Sequence, residues 1–397
     1  MRHYRIAGQT IDSDDPRFAI LLGAVYGTKS RPLCLCREPG VEMYIAKVLG
    51  HLLIKRMPES GGNHAPACDS YEPPLQLSAL GQLMGTAIQE NPENGITKLK
   101  LDFALTKRAS RGPPASRAAV ADSVRTDGSK LTLRGTLSYL WDQAGFNRWS
   151  ATMRGKRNWF VIRKYLIGAA ANKIANGLAL ADILYLPESF SVDKKNEIGA
   201  RRAAQMATAV SQGEGARRLM LAIGEVKEIA PSRYGYKIVL KHCPDFPFLL
   251  DEDLHRRLKE RFDAALRLWD AMEDVHLMLI ATFGLSAAGI ALFEELALMA
   301  FTEQWLPMEN AFDKTLIDTM VREDRRFIAG LRYNLPSTRP LACVIATDTD
   351  PAPTAMYIVP PGASQEYNLA LNELVEQSKL ASWIWCVGVA GMPPLPR

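Results

Sequence analysis

The chain has 397 residues, 47% of them hydrophobic and 23% charged, with six cysteines and a formal charge of +5. That length exceeds one ordinary core and implies two or three domains. The composition excludes a disordered chain, and so few cysteines exclude a disulfide scaffold. The first residues, Met1 to Asp12, lack the apolar run of a secretory signal, so a reducing cytoplasm is the expected setting.

The charge is unevenly spread. Lys107 to Lys173 hold 14 Lys or Arg against three Asp and no Glu, an asymmetry that points to a polyanion-binding segment.

In chain order, Tyr4–Ile11 reads as a short hairpin turning at Gly8-Gln9. A helix follows from Asp14 or Asp15, with Phe18, Leu21, Leu22, Val25 and Tyr26 on one face. Next comes the densest chemistry of the chain, Cys34-Leu35-Cys36 and then His64-Ala-Pro-Ala-Cys68. Three thiols and one imidazole in two short clusters are the donor set of a closed tetrahedral zinc site. The chain between them, Met43 to Met57, reads as two apolar strands around Gly50, a hairpin able to bring the clusters together. Ser60-Gly61-Gly62-Asn63 gives the backbone freedom to place His64. The competing reading is three buried or incidental cysteines.

Ile96–Leu105 alternates as a strand and closes a first domain. Residues 107–130, rich in Pro, Gly, Ser and Arg, read as a linker, either a basic arm touching phosphates or a solvated tether. Helices are expected over Leu131–Ala144 and from about Lys156 to Asn172. Between Asn147 and Ile174 lie seven basic residues and no acidic ones, interleaved with Trp149, Trp159, Phe160 and Tyr165. Two helices joined by a short turn, the second basic, suggest a helix-turn-helix reader. Its candidate nucleic-acid contacts are Arg148, Arg154, Lys156, Arg157, Arg163 and Lys164, with Arg157, Arg163 and Lys164 on the outer face. A helix over Asp193–Ser211 follows. Leu219–Ile229 and Tyr234–His242 then form an antiparallel hairpin lined by Lys227, Lys237 and Lys241, placed to serve as a wing on the helix pair. Asp251–Trp269 is a charged amphipathic helix.

Val275 to Phe293 is 19 residues without a formal charge, long enough to cross a bilayer. The break at Thr282–Ser286, and Glu294 and Glu295 beyond it, favour a buried strand, Leu277–Phe283, followed by a helix, Ser286–Phe301. The remainder reads as a helix at Ala311–Val321, strands at Phe327–Tyr333, Leu341–Thr347 and Met356–Val359, a helix at Ser364–Ser378 and a strand at Trp383–Val387. That is the element order of restriction-endonuclease-like nucleases. Such enzymes need an acidic-x-Lys triplet on the strand after the first carboxylate. Asp348 and Asp350 supply carboxylates, but Ala355–Val359 holds no acid and no lysine, so a fold without the catalytic centre is the better reading.

The N-terminal segments Pro32-Leu-Cys34-Leu-Cys36, Lys55-Arg56-Met57-Pro58, Ser60-Gly61-Gly62 and His64 to Pro74 resemble a bacterial domain-of-unknown-function family, number 1173. Leu133-Arg134-Gly135, Gly155-Lys156-Arg157-Asn158-Trp159 and Leu186-Pro187-Glu188 extend the resemblance over nearly the whole chain. The family is carried on integrative conjugative elements and plasmids, so the resemblance implies a mobile-element setting and no assigned activity.

The expected protein is thus α+β and multi-domain. It comprises a zinc-stabilised N-terminal domain (1–106), a basic linker (107–130), a basic helix-turn-helix-like middle domain with a hairpin (131–272) and a C-terminal α/β domain with restriction-endonuclease-like strand order (273–397). The expected function is a zinc-containing, nucleic-acid-associated accessory protein, DNA favoured, with no membrane contact. The alternatives are a metal-dependent nuclease and a protein-binding scaffold.

Overall fold

A computed structural model describes residues 2–74, 77–107, 129–209 and 217–397. Most of the expected linker, residues 108–128, lies outside the described residues. The fold is mixed α+β, with eight α-helices and several sheets among the described residues.

The N-terminal sheet runs in the order 9–12, 3–6, 33–34, 41–48, 51–56, all antiparallel. Its two hairpins turn on Ala7-Gly8 and Leu49-Gly50, each pair with both φ angles positive. Turns of that kind match the right-handed twist of the flanking strands. Helix α1 (Phe18–Val25) buries Leu22 and Val25 against this sheet. A second sheet pairs Ile96–Leu99 with Ile88–Asn91 on one side and with Lys173–Ala175 on the other.

Helices α2 (Leu133–Gln143) and α3 (Trp159–Ala170) fall where the periodicity places them. Thr132 and Asn158 cap them by accepting from Gly135 N–H and Val161 N–H, which satisfies one orphan donor in each first turn. They are not joined by the three- or four-residue turn of a helix-turn-helix. Residues 144–158 intervene and include a strand, Arg148–Trp149, that pairs with Phe327–Ile328. The chain continues through α4 (Leu180–Ile183), α5 (Lys195–Met206) and α6 (Glu252–Ala271).

The expected Lys-lined wing does not project from the helix pair. Met220–Pro231 and Tyr236–Leu240 are antiparallel neighbours, as the alternation suggests, but they lie within a larger sheet. The expected helix at Ser286–Phe301 is a strand, Ala291–Phe301, paired antiparallel with His276–Leu285 through a turn with Gly289 at φ +75. Residues 296–301 are all buried, so the run has no exposed helical face. A continuously apolar segment of that kind carries no period to separate strand from helix. The uncharged stretch is therefore mostly a hairpin, and among the described residues no helix is long and apolar enough to cross a membrane.

These strands close into a ring. Met220–Pro231 pairs with His276–Leu285 over Met220 to Glu225 and with Tyr236–Leu240 from Val226 onward. A bulge between Val226 and Glu228 lets one strand serve both neighbours, since an extra residue bends and twists the strand that carries it. Phe248, Phe283 and Phe293 pack together inside, with the Phe283 and Phe293 ring centroids 5.2 and 4.8 Å from that of Phe248.

The C-terminal sheet has the order 381–386, 354–359, 344–346, 327–329, 148–149. Helices α7 (Ala311–Arg322) and α8 (Gln365–Ser378) take its two faces. Leu316, Ile317 and Met320 of α7 share a core with Val344, Ala346 and Met356, while Leu371 of α8 shares another with Ile345, Ala355 and Tyr357. Alternate residues of one strand point to opposite sides, which separates the two cores. Hydrogen-bonded sheets thus cross residues 106, 130 and 272, the positions where the sequence suggests boundaries.

Candidate metal centre

Cys34 ends the central strand of the N-terminal sheet, and Cys36 follows it at the start of a turn. The hairpin 41–56 carries the chain back, and a short 3-10 turn, Gly61–Asn63, delivers His64. Gly61 is required there, because a Cβ at that position would lie 2.5 Å from Cβ of Glu72. Glu72 is itself held by an ion pair with Arg56 of the hairpin. Hydrogen bonds from Cys68 N–H to Ala65 O and from Tyr71 N–H to Cys68 O fold the loop around the last ligand.

The four ligand atoms of Cys34, Cys36, His64 and Cys68 lie within 4.8 Å of one another. Cys34 Sγ and Cys68 Sγ are 3.8 Å apart, and His64 Nδ1 is 3.3 Å from Cys36 Sγ and 3.8 Å from Cys68 Sγ. A tetrahedron built on metal–sulfur bonds of about 2.3 Å has edges of about 3.8 Å. The group could therefore hold a metal ion. Backbone N–H groups of Ala65 and Ser70 point at Cys36 Sγ and Cys68 Sγ, each at 3.4 Å, as suits thiolates. The hydrogen bond with Cys34 comes first among the influences that hold the Cys68 thiol down to about 4, with His64 and the Ser70 N–H adding to it against partial burial. The same bond, with burial, pushes Cys34 up. His64 is fully buried with Nδ1 toward the sulfurs and Nε2 without a hydrogen-bond partner among the described residues. Such an orphan costs about 1–3 kcal/mol, which ligation through Nδ1 would offset.

The loop that carries His64 and Cys68 is fastened to the rest of the molecule. Arg326 donates to Ala67 O, Arg148 Nη2 donates to Tyr71 O at 2.6 Å, and Arg2 pairs with Asp69.

The six expected nucleic-acid contacts do not form one surface. Arg157 is turned inward: its guanidinium donates to Phe146 O at 2.8 Å, Gln304 O at 3.2 Å and Arg148 O, and lies over the Phe146 and Trp149 rings. Burial lowers it to about 10. Arg148 is occupied by Tyr71 O, Arg163 Nε donates to Leu186 O at 3.1 Å, and Arg154 pairs with Asp324. Lys156 and Lys164 are exposed and make no ion pair among the described residues. Trp149 and Trp159 are core residues at 1% and 4% exposure, whereas Phe160 and Tyr165 stand 67% and 54% exposed. A helical projection finds this: with Trp159, Ile162, Leu166 and Ala169 inward, Phe160 and Lys164 fall on the far side.

Asp348 is engaged as well. Its carboxylate accepts two bonds from the Arg325 guanidinium at 2.9 and 3.0 Å and the Arg326 N–H at 2.7 Å. The neighbouring strand, Thr354–Val359, holds no acid and no lysine.

A family model described as "Protein of unknown function (DUF1173)" matches residues 4–388. No curated protein and no solved structure matches the chain.

Proposed function

The chain belongs to the DUF1173 family, and we propose that it is a zinc-containing, nucleic-acid-associated accessory protein of a mobile genetic element, with DNA as its favoured partner. The four converging ligand atoms of Cys34, Cys36, His64 and Cys68 carry the metal half of this reading. Three sulfurs and one imidazole select zinc over harder cations, and a closed four-ligand set suits a structural ion. The nucleic-acid half is supported by Lys156 and Lys164 beside exposed Phe160 and Tyr165. The mobile-element setting is what the family resemblance implies.

The nucleic-acid half is tested by binding to a DNA duplex over a salt series. Cations that neutralise phosphates release counterions, so affinity should fall steeply with salt. The double substitution Lys156→Ala, Lys164→Ala should flatten the log–log slope by roughly one unit for each phosphate no longer neutralised. Absence of salt-dependent binding at low ionic strength, to duplex and single strands alike, would move the protein-scaffold reading to first place.

A further inference from the structure

The ring of strands has a specific connectivity. In sequence its members are 220–231, 236–240, 243–250, then α6, then 276–285 and 291–301, and the pairings run first–second–third–fifth–fourth–first. Within the ring only the third and fifth pair in parallel, through Phe248↔Ala291 and Leu249↔Leu292. A five-stranded barrel closed in this order, with its helix between strands three and four, has the topology of the OB-fold. Barrels of that kind present the face of strands two and three, flanked by the loops 1–2 and 4–5, to oligonucleotides or oligosaccharides. Topology alone assigns no ligand, so the residues on that face have to decide.

Register puts Lys237, Leu249 and Leu292 side by side on strands two, three and five. Their chain neighbours Ile238, Phe248, Leu250, Ala291 and Phe293 are buried, so this row faces outward. At one end of the row loop 1–2 carries Tyr234, 76% exposed, with the Arg233 guanidinium 5.3 Å over its ring. At the other end loop 4–5 carries the half-exposed Ile290. The far half of strand three is closed off, because Arg202 of α5 pairs with Asp245 and covers the Phe246 ring. Lys227 and Arg233 make no ion pair among the described residues, and Lys237 is neutralised only by Glu228 at 3.2 Å.

We propose that this end of the barrel, with Tyr234 and Arg233 at its rim, is a binding site for single-stranded nucleic acid. An exposed aromatic ring backed by a guanidinium offers a base a stacking surface that a paired base cannot reach. The neighbouring cations favour a polyanion over a neutral sugar. The site deepens the nucleic-acid reading and rests on it, while using residues separate from the face of α3.

The test is fluorescence anisotropy of the full chain with a dT oligonucleotide, its rU counterpart, a duplex of equal length and a neutral oligosaccharide. Tyr234→Ala should weaken single-strand binding about tenfold, Tyr234→Phe should restore it, and duplex affinity should stay unchanged. Arg233→Ala should weaken single-strand binding and lower its salt slope. Because Tyr234 is a surface loop residue, its loss leaves the fold in place, which a melting curve checks. Single-strand binding indifferent to Tyr234→Ala and Arg233→Ala overturns the site. Duplex binding alone, lost in the Lys156, Lys164 double variant, overturns it while leaving the nucleic-acid reading standing. Binding to no nucleic acid overturns both, and preference for the oligosaccharide overturns the assigned ligand. If the rU probe binds and dT does not, the site stands and its ligand is RNA.

Discussion

Arg326 donates a guanidinium hydrogen bond to the carbonyl oxygen of Ala67, the residue just before Cys68. The loop between two candidate ligands is thereby tied to the strand that begins at Phe327 in the C-terminal sheet. Groups that orient ligands from outside the coordination shell commonly change metal affinity by 10–100-fold when removed. Arg326 acts one step further out, through the backbone, so Arg326→Ala should lower zinc affinity by about tenfold at most. Competition with a chromogenic chelator measures this. Unchanged affinity would make the tether irrelevant to the site.

On the proposed reading, removing the metal should loosen more than the N-terminal sheet, because Arg326 and Arg148 both lean on the loop that carries His64 and Cys68. Treating the protein with a strong chelator should expose the N-terminal segment to limited proteolysis and lower the melting temperature. Identical digestion patterns with and without chelator would show that the loop holds its shape unaided.

Arg157 should behave as a core residue. Its guanidinium serves three backbone carbonyls, which Arg157→Ala would leave unpaired. The expected loss is about 3 kcal/mol in urea denaturation, with Arg157→Lys intermediate because an ammonium cannot span the same acceptors. Lys164→Ala on the exposed face should change stability by less than about 0.5 kcal/mol. A neutral Arg157→Ala that abolished DNA binding would reverse this assignment.

Lys173 offers a test by pH. It is 2% exposed on the strand beside Ile96–Leu99, with its ammonium 5.6 Å from the Tyr139 ring. Burial, aided by repulsion from Lys55 and opposed by Glu90, pushes it down to about 7 from 10.5. Between those values the unfolded chain binds more protons than the folded one, so folding stability should rise with pH from about 7 towards about 10.5. The slope contributed by this one group approaches about 1.4 kcal/mol per pH unit. Lys173→Met should flatten the curve over about pH 7.5–10, and an unaltered curve would show that the amine is solvated.

The cluster of Cys34, Cys36, His64 and Cys68 is legible because its donors are written at short range: two pairs of donors, a hairpin between them and glycines before His64. The helices α2 and α3 are legible from the period of their apolar residues. What escaped the sequence depends on partners far along the chain. Arg157 projects outward on the wheel of a helix begun at Lys156, yet the helix starts at Trp159 and the Arg157 guanidinium reaches Gln304 O, a contact no local pattern announces. Leu296–Phe301 is apolar throughout, and only its pairing with residues His276 to Ala281 of the preceding strand decides that it is a strand. The barrel exists because Met220 meets Phe283, a closure that alternation within each strand does not encode. In the sequence Asp348 reads as an available carboxylate, and the Arg325 guanidinium that engages it lies 23 residues away.

X-ray absorption at the zinc edge, on protein purified without chelator, tests the central assignment most directly. One zinc per chain is expected, with three sulfur neighbours at about 2.3 Å and one nitrogen at about 2.0–2.1 Å, and Cys36→Ser or Cys68→Ser should lose it. Absence of bound metal in the unsubstituted protein, or a first shell without sulfur, would contradict the zinc centre proposed for Cys34, Cys36, His64 and Cys68.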